Sequence, residues 1–193
     1  VDSGAIYGNT GLLSRGANWV DIDNDRDIDL FIANESGSVD YMYKNNGGGY
    51  FTSVTGIAPT TSGGISWSSS WGDYDNDGDL DLYVTNSENQ KNFLFRNDGN
   101  FTFTRILNDP IVNENGYFAC SGWGDYDNDG DLDMYVTQAY GPPNVPLANH
   151  LYKNLLVETG NPAFEKITDG EIVNDLGYSY GFAWADWDAD GDL

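Results

Sequence analysis

Asp73, Asp75, Asp77, Asp79 and Asp81 take every second position of one nine-residue stretch, Asp73-Tyr-Asp-Asn-Asp-Gly-Asp-Leu-Asp81. The alternation recurs at Asp125, Asp127, Asp129, Asp131 and Asp133, and earlier at Asp21, Asp23, Asp25, Asp27 and Asp29. A fourth copy begins at Asp186, Asp188, Asp190 and Asp192, and the sequence reaches Leu193 before its ninth position. Carboxylates this close repel one another, and runs of like charge oppose a compact state. A hard divalent cation removes the conflict. Ca²⁺ takes about 6–8 oxygen ligands from carboxylates, carbonyls and water. The Asp-x-Asp-x-Asp-Gly core supplies three carboxylates, and its glycine admits the positive φ of a sharp turn. Position 9 is expected to close the site, and position 7 to offer its backbone carbonyl.

The alternatives fit less well. An EF-hand needs a bidentate Glu at position 12 and flanking helices. Here position 12 holds Val84 or Val136 and the flanks read as strands. Mg²⁺ retains waters and demands stricter octahedral geometry. One His and one Cys cannot build a soft zinc or iron site. The expectation is three to four Ca²⁺ sites. Arg26 replaces the glycine of the first loop and is expected to strain or weaken that site.

These loops sit inside a repeat. Trp19, Trp71, Trp123 and Trp184 each precede a run by two residues, at spacings of 52, 52 and 61. The extra residues of the last interval fall around Gly141-Pro142-Pro143 and between Leu156 and Pro162. Insertions confined to loops are expected when the repeat is a supersecondary unit. After each run, Leu80, Leu82 and Val84 alternate with Asp81, Tyr83 and Thr85, a strand pattern. A second shared element follows: Asp40-Tyr-Met-Tyr-Lys-Asn45, Asn92-Phe-Leu-Phe-Arg-Asn97 and Asn149-His-Leu-Tyr-Lys-Asn154. A turn and a third aromatic segment complete each copy, and a strand of small residues ending in Trp precedes each run. Four short strands per period of about 50 residues is the pattern of a β-propeller blade. A solenoid is the alternative architecture.

The expectation is therefore an all-β chain of four-stranded antiparallel blades, with the Asp loop between the first and second strand of each. Its 193 residues form a single segment of three blades and the start of a fourth. The repeats span about 16–63, 64–115, 116–177 and 178–193. The last stretch reads as strand and as a candidate for pairing with another chain.

Composition agrees. The chain carries 31 acidic and 8 basic residues, net −23, which excludes ordinary nucleic-acid binding. Nineteen of those acids lie in the four loops. Its 15% aromatic share argues against disorder. No apolar run is long enough for a transmembrane helix. Val1-Asp2-Ser3-Gly4 does not read as a secretory leader, which leaves a processed chain or a fragment.

The pattern Trp-Gly-Asp-Tyr-Asp-Asn-Asp-Gly-Asp-Leu-Asp-Leu/Met-Tyr-Val at 71–84 and 123–136 resembles the FG-GAP/VCBS repeats, the integrin-alpha-like β-propeller family. Asn149-His-Leu-Tyr-Lys-Asn154 looks like that family's next strand. The resemblance implies Ca²⁺ at positions 1, 3, 5, 7 and 9 and an extracellular, adhesion-type or ligand-recognition role. Arg26 departs from the pattern, and the integrin-style Gly-Ala-Pro element is absent. Family propellers have six to eight blades, so three imply a fragment, a ring completed by strand exchange, or an open stack.

The remaining residues carry weaker signals. The four repeated tryptophans are expected to pack blade on blade. Trp67 and Trp187 do not repeat and are candidate sugar platforms. His150 and Cys120 read as structural. Asn34-Glu-Ser36 and Asn100-Phe-Thr102 match the glycosylation rule. No catalytic constellation is present, so the chain is expected not to be an enzyme. The expected function is a calcium-binding extracellular repeat protein for structure, adhesion or assembly, with a protein partner or self-association. A glycan-binding lectin-like propeller, or the non-catalytic propeller of a polysaccharide-degrading enzyme, is the alternative.

Overall fold

A computed structural model describes residues 13–193 apart from 36, 140, 144, 146 and 192. Three antiparallel four-stranded sheets follow one another along the chain, each with its strands in chain order. The first is Ser14–Val20, Asp29–Asn34, Tyr41–Asn45 and Phe51–Val54. The second is Ser66–Gly72, Asp81–Asn86, Phe93–Asn97 and Phe103–Ile106. The third is Phe118–Gly124, Asp133–Gln138, His150–Asn154 and Phe164–Ile167. In every sheet the Asp run joins the first strand to the second, and the residue at position 9 opens the second strand.

The second strands alternate apolar and polar residues in sequence, yet Asp81–Asn86 and Asp133–Gln138 are buried along their whole length. The reason is their place. Each lies inside its sheet and is covered on both faces, so its polar members must find partners. Thr85 does so across repeats, donating to Ala119 O at 3.2 Å. Buried polar groups are satisfied in this way.

The cores lie between consecutive sheets. Val20, Phe31, Ala33 and Met42 of the first pack with Leu82, Val84, Phe93 and Phe95 of the second. Tyr74, Tyr83 and Leu94 of the second pack with Phe118, Met134, Val136, Tyr152 and Phe164 of the third. The repeated tryptophans are the rungs. Trp71 meets Phe31 of the preceding repeat edge-on at 5.9 Å. Trp123 stacks on Tyr74 at 5.9 Å, and Trp184 meets Tyr135 at 6.0 Å. Trp19 contacts Phe51 of its own sheet and stays 61% exposed.

Small residues make this spacing possible. A Cβ at Gly72 would lie 2.7 Å from the Trp123 ring, and one at Gly124 would lie 2.8 Å from Trp184. The Trp-Gly pairs at 71–72 and 123–124 thus give the second and third repeats both a ring to insert and a slot for the next ring.

The fourth copy differs from its expectation. Among the described residues, 178–193 contain no strand. In the other repeats this segment pairs with the strand that opens at position 9; among the described residues 178–193 make no such pairing. Trp184 nevertheless covers Tyr135 as Trp123 covers Tyr83, and Phe182 adds a second ring there. Just before this segment, Leu176–Gly177 pairs with Leu147–Ala148.

Replacing Gly72 by Ala should cost about 1–3 kcal/mol through overpacking. Gly177→Ala, where nothing lies within 4 Å of the added carbon, should stay within about 0.5 kcal/mol. Urea denaturation of both variants checks the contrast.

Candidate metal centre

The Asp loops fold by the same local bonds in every copy. Both oxygens at position 1 accept backbone amides from positions 5 and 6. Asp73 accepts from Asp77 at 3.0 Å and Gly78 at 2.9 Å. Asp21, Asp125 and Asp186 do the same with their own loops. Positions 4 and 6 are left-handed throughout. Asn24, Asn76 and Asn128 suit that conformation. Arg26, at φ 74°, takes the place of Gly78 and Gly130 without changing the fold of its loop. The expected strain is thus local to one residue, at about 1–2 kcal/mol.

Position 9 is the anchor. Asp29, Asp81 and Asp133 are fully buried. One oxygen of Asp81 accepts the Tyr74 amide at 3.0 Å and the other the Asn97 amide at 2.8 Å. Asp29 is held by Ile22 and Asn45, and Asp133 by Tyr126 and Asn154, in the same way. Burial pushes the Asp81 carboxyl up to about 8 and the Asp133 carboxyl up to about 7, although the amides oppose the shift. Burial raises Asp29 as well.

Positions 1, 3 and 9 converge. A carboxylate oxygen from each of Asp21, Asp23 and Asp29 lies within 4.8 Å of the others. Asp73, Asp75 and Asp81 form the same group, as do Asp125, Asp127 and Asp133. Asp25 and Asp77, at position 5, and Asp27 and Asp79, at position 7, do not join these groups. In the fourth copy Asp186, Asp188 and Asp190 come together, all exposed, and Asp192 lies outside the described residues.

These groups fit a hard cation. Asp23 Oδ1 and Asp75 Oδ1 are buried and have no hydrogen-bond partner, which is costly for a carboxylate. All donors are oxygens, as Ca²⁺ requires. Lysines partly fill the need in two loops. Lys44 pairs with Asp23 and with Asp25, the latter at 2.7 Å. Lys153 pairs with Asp127 and with Asp129, the latter at 3.0 Å. In the second loop the equivalent Arg96 turns instead to Asp98 at 2.8 Å.

Neighbouring loops are tied together by asparagines whose role the sequence does not announce. Asn97 Nδ2 donates to Ile22 O at 2.9 Å and Leu80 O at 3.1 Å, clamping the first loop to the second. Asn154 Nδ2 donates to Tyr74 O at 2.7 Å and Leu132 O at 3.3 Å, clamping the second to the third. Asn24 Nδ2 reaches Gly78 O and, at 2.7 Å, Asp79 Oδ1. The available signal was the thrice-repeated basic-Asn dipeptide Lys44-Asn45, Arg96-Asn97 and Lys153-Asn154.

Other sequence candidates fall elsewhere. Asn34 is fully buried and bonded to Val39 O, so it cannot accept a glycan as folded, whereas Asn100 is exposed. The Trp67 ring is covered by the Arg15 guanidinium at 4.5 Å. Trp187 is 96% exposed and holds the loop position that Tyr74 occupies under Trp123. His150 lies buried on its strand beside Gln138 and Tyr152, and burial lowers its pKa to about 4. Cys120 is half-buried rather than enclosed.

A family model described as an FG-GAP-like repeat matches residues 21–84 and 73–136. Each match runs from position 1 of one Asp loop to position 12 of the next. No curated protein matches the chain.

Two outcomes follow from this geometry. The folded chain keeps protons on Asp81 and Asp133 that the unfolded chain releases near pH 4. Their contribution to stability in metal-free buffer should therefore be full below about pH 4 and be lost as pH rises through about 7 to 8. Thermal melts at pH 5 and pH 8 check the sign. Asn97→Ala leaves two backbone acceptors without their donor and should cost about 1–3 kcal/mol.

Proposed function

The chain belongs to the FG-GAP-like repeat family, and from that premise we propose a Ca²⁺-stabilised β-propeller-like repeat protein working outside the cell in adhesion or assembly. The role is binding and structural rather than catalytic. The observation that carries the reading is the convergence of positions 1, 3 and 9 around the unpartnered buried oxygens of Asp23 and Asp75. Ca²⁺ would be held by Asp21, Asp23 and Asp29, by Asp73, Asp75 and Asp81, and by Asp125, Asp127 and Asp133. Positions 5 and 7 would complete the shell with a carboxylate and a backbone carbonyl. The cation would neutralise carboxylates that otherwise repel. Four Ca²⁺ would take the net charge from −23 to −15.

Extracellular placement follows from the cation, since weak Ca²⁺ sites of about 10⁻⁴–10⁻³ M fill there. Among the described residues no helix is long and apolar enough to cross a membrane. The assembly part of the reading rests on the stack. Trp71 and Trp123 each seat one sheet against the sheet before it, a packing mode that a further copy of the repeat can extend. The glycan reading has less support, because Arg15 covers Trp67 and leaves Trp187 as the exposed one of its two candidate platforms.

The test is the melting temperature with saturating Ca²⁺ and with EDTA. At about tenfold above Kd each site should add roughly 1.4 kcal/mol, so several sites raise the melt clearly. An unchanged melt refutes the reading. Asp77→Ala should reduce the Ca²⁺ gain more than Asp79→Ala, which keeps its backbone carbonyl.

A further inference from the structure

The third repeat holds a second acidic group that the loop pattern does not describe. Carboxylate oxygens of Asp129, Asp131 and Glu158 lie within 4.8 Å of one another. Asp131 sits at position 7, where only a backbone role is expected. Its side chain is instead buried, with 1% exposure for the residue. One oxygen accepts the Val157 amide at 2.9 Å. The other, Oδ1, is buried and has no partner.

The insertion creates this arrangement. In the first two repeats the chain turns at Gly47 and Gly99, two residues after Asn45 and Asn97, and Asp27 and Asp79 face those turns. The third repeat makes the same bond from the Leu156 amide to Asn154. It then continues as the one-turn helix Leu156–Thr159, which brings the Val157 amide and the Glu158 carboxylate over Asp131. The added residues therefore do more than lengthen a loop.

Charge remains unbalanced there. Lys153 is the described cation in contact, and it is shared among Asp127, Asp129 and Glu158, the last at 2.6 Å. One ammonium serves these three carboxylates, and among the described residues no cation pairs with Asp131. The donors are all oxygens, and one side is open through exposed Glu158, so water can complete a shell.

We propose that Asp129, Asp131 and Glu158 form an additional site for a hard divalent cation, found in the third repeat beside the Asp125, Asp127 and Asp133 group and sharing the Asp129 carboxylate with it. Asp129 lies between the two groups. Ca²⁺ is the cation this oxygen set suits best. Lys153 then acts as a tethered competitor that holds the carboxylates until the ion arrives.

The inference shares its chemistry with the proposed function, and counting ions separates their failures. Equilibrium dialysis against Ca²⁺ should give one ion fewer per chain for Glu158→Gln than for the unsubstituted protein. Glu158 is exposed, so the fold should survive, and the far-ultraviolet circular dichroism spectrum checks this. Asp131→Asn keeps an acceptor for Val157 and should also remove one ion. Lys153→Met should keep the count and tighten the weakest site. Equal counts for Glu158→Gln and the unsubstituted protein overturn the additional site while leaving the loop sites standing. No bound Ca²⁺ in any variant overturns both.

Discussion

The buried aspartate at position 9 is the constraint around which each repeat is built. Asp81 has one oxygen on the second residue of its loop and the other on the last residue of the third strand. It thereby fixes the loop, the second strand and the third strand to one another. The carboxylate cannot move outward without abandoning two amides, and it cannot ionise cheaply without help. Everything in the loop follows from that. Position 1 gathers the amides of positions 5 and 6, position 3 is drawn inward, and the three carboxylates meet. A cation is the economical resolution, because it stabilises the charged form where burial disfavours it.

The loops do not act alone. Asn97 and Asn154 bond to the backbone of two loops at once, and the tryptophans seat each sheet on its predecessor. Ordering one loop therefore presents a more ordered surface to the next. Repeat proteins draw their stability from such nearest-neighbour terms. The basic residue before each asparagine differentiates the loops. Lys44 and Lys153 pair directly with position 3 of their loops, while Arg96 bonds Asp98 and acts on Asp75 only through space.

Much of this was legible in the sequence, and particular residues show why. The alternation of Leu82 and Val84 with Tyr83 and Thr85 gave the strand, and the Trp-to-Asp spacing placed the loop. It did not reveal that Thr85 and Asp81 are buried, because period-2 patterning assumes one wet face and these strands have none. The Asp at position 9 reads in sequence as a ligand alone, since a bond to the Asn97 amide is long-range and leaves no local trace. Glu158 was invisible for a related reason. It belongs to an insertion, outside the repeat, and only the fold carries it back to Asp131. The strand expected within 178–193 is not formed among the described residues, because strand patterning alone does not make the hydrogen bonds of a pair.

The most direct measurement is a crystal structure of the protein grown with Ca²⁺, with the ions located by anomalous scattering. The account predicts a peak about 2.3–2.6 Å from carboxylate oxygens of Asp73, Asp75 and Asp81, repeated in the first and third loops. Loops without ions at saturating Ca²⁺, with Asp75 Oδ1 bonded to a protein donor instead, would contradict it.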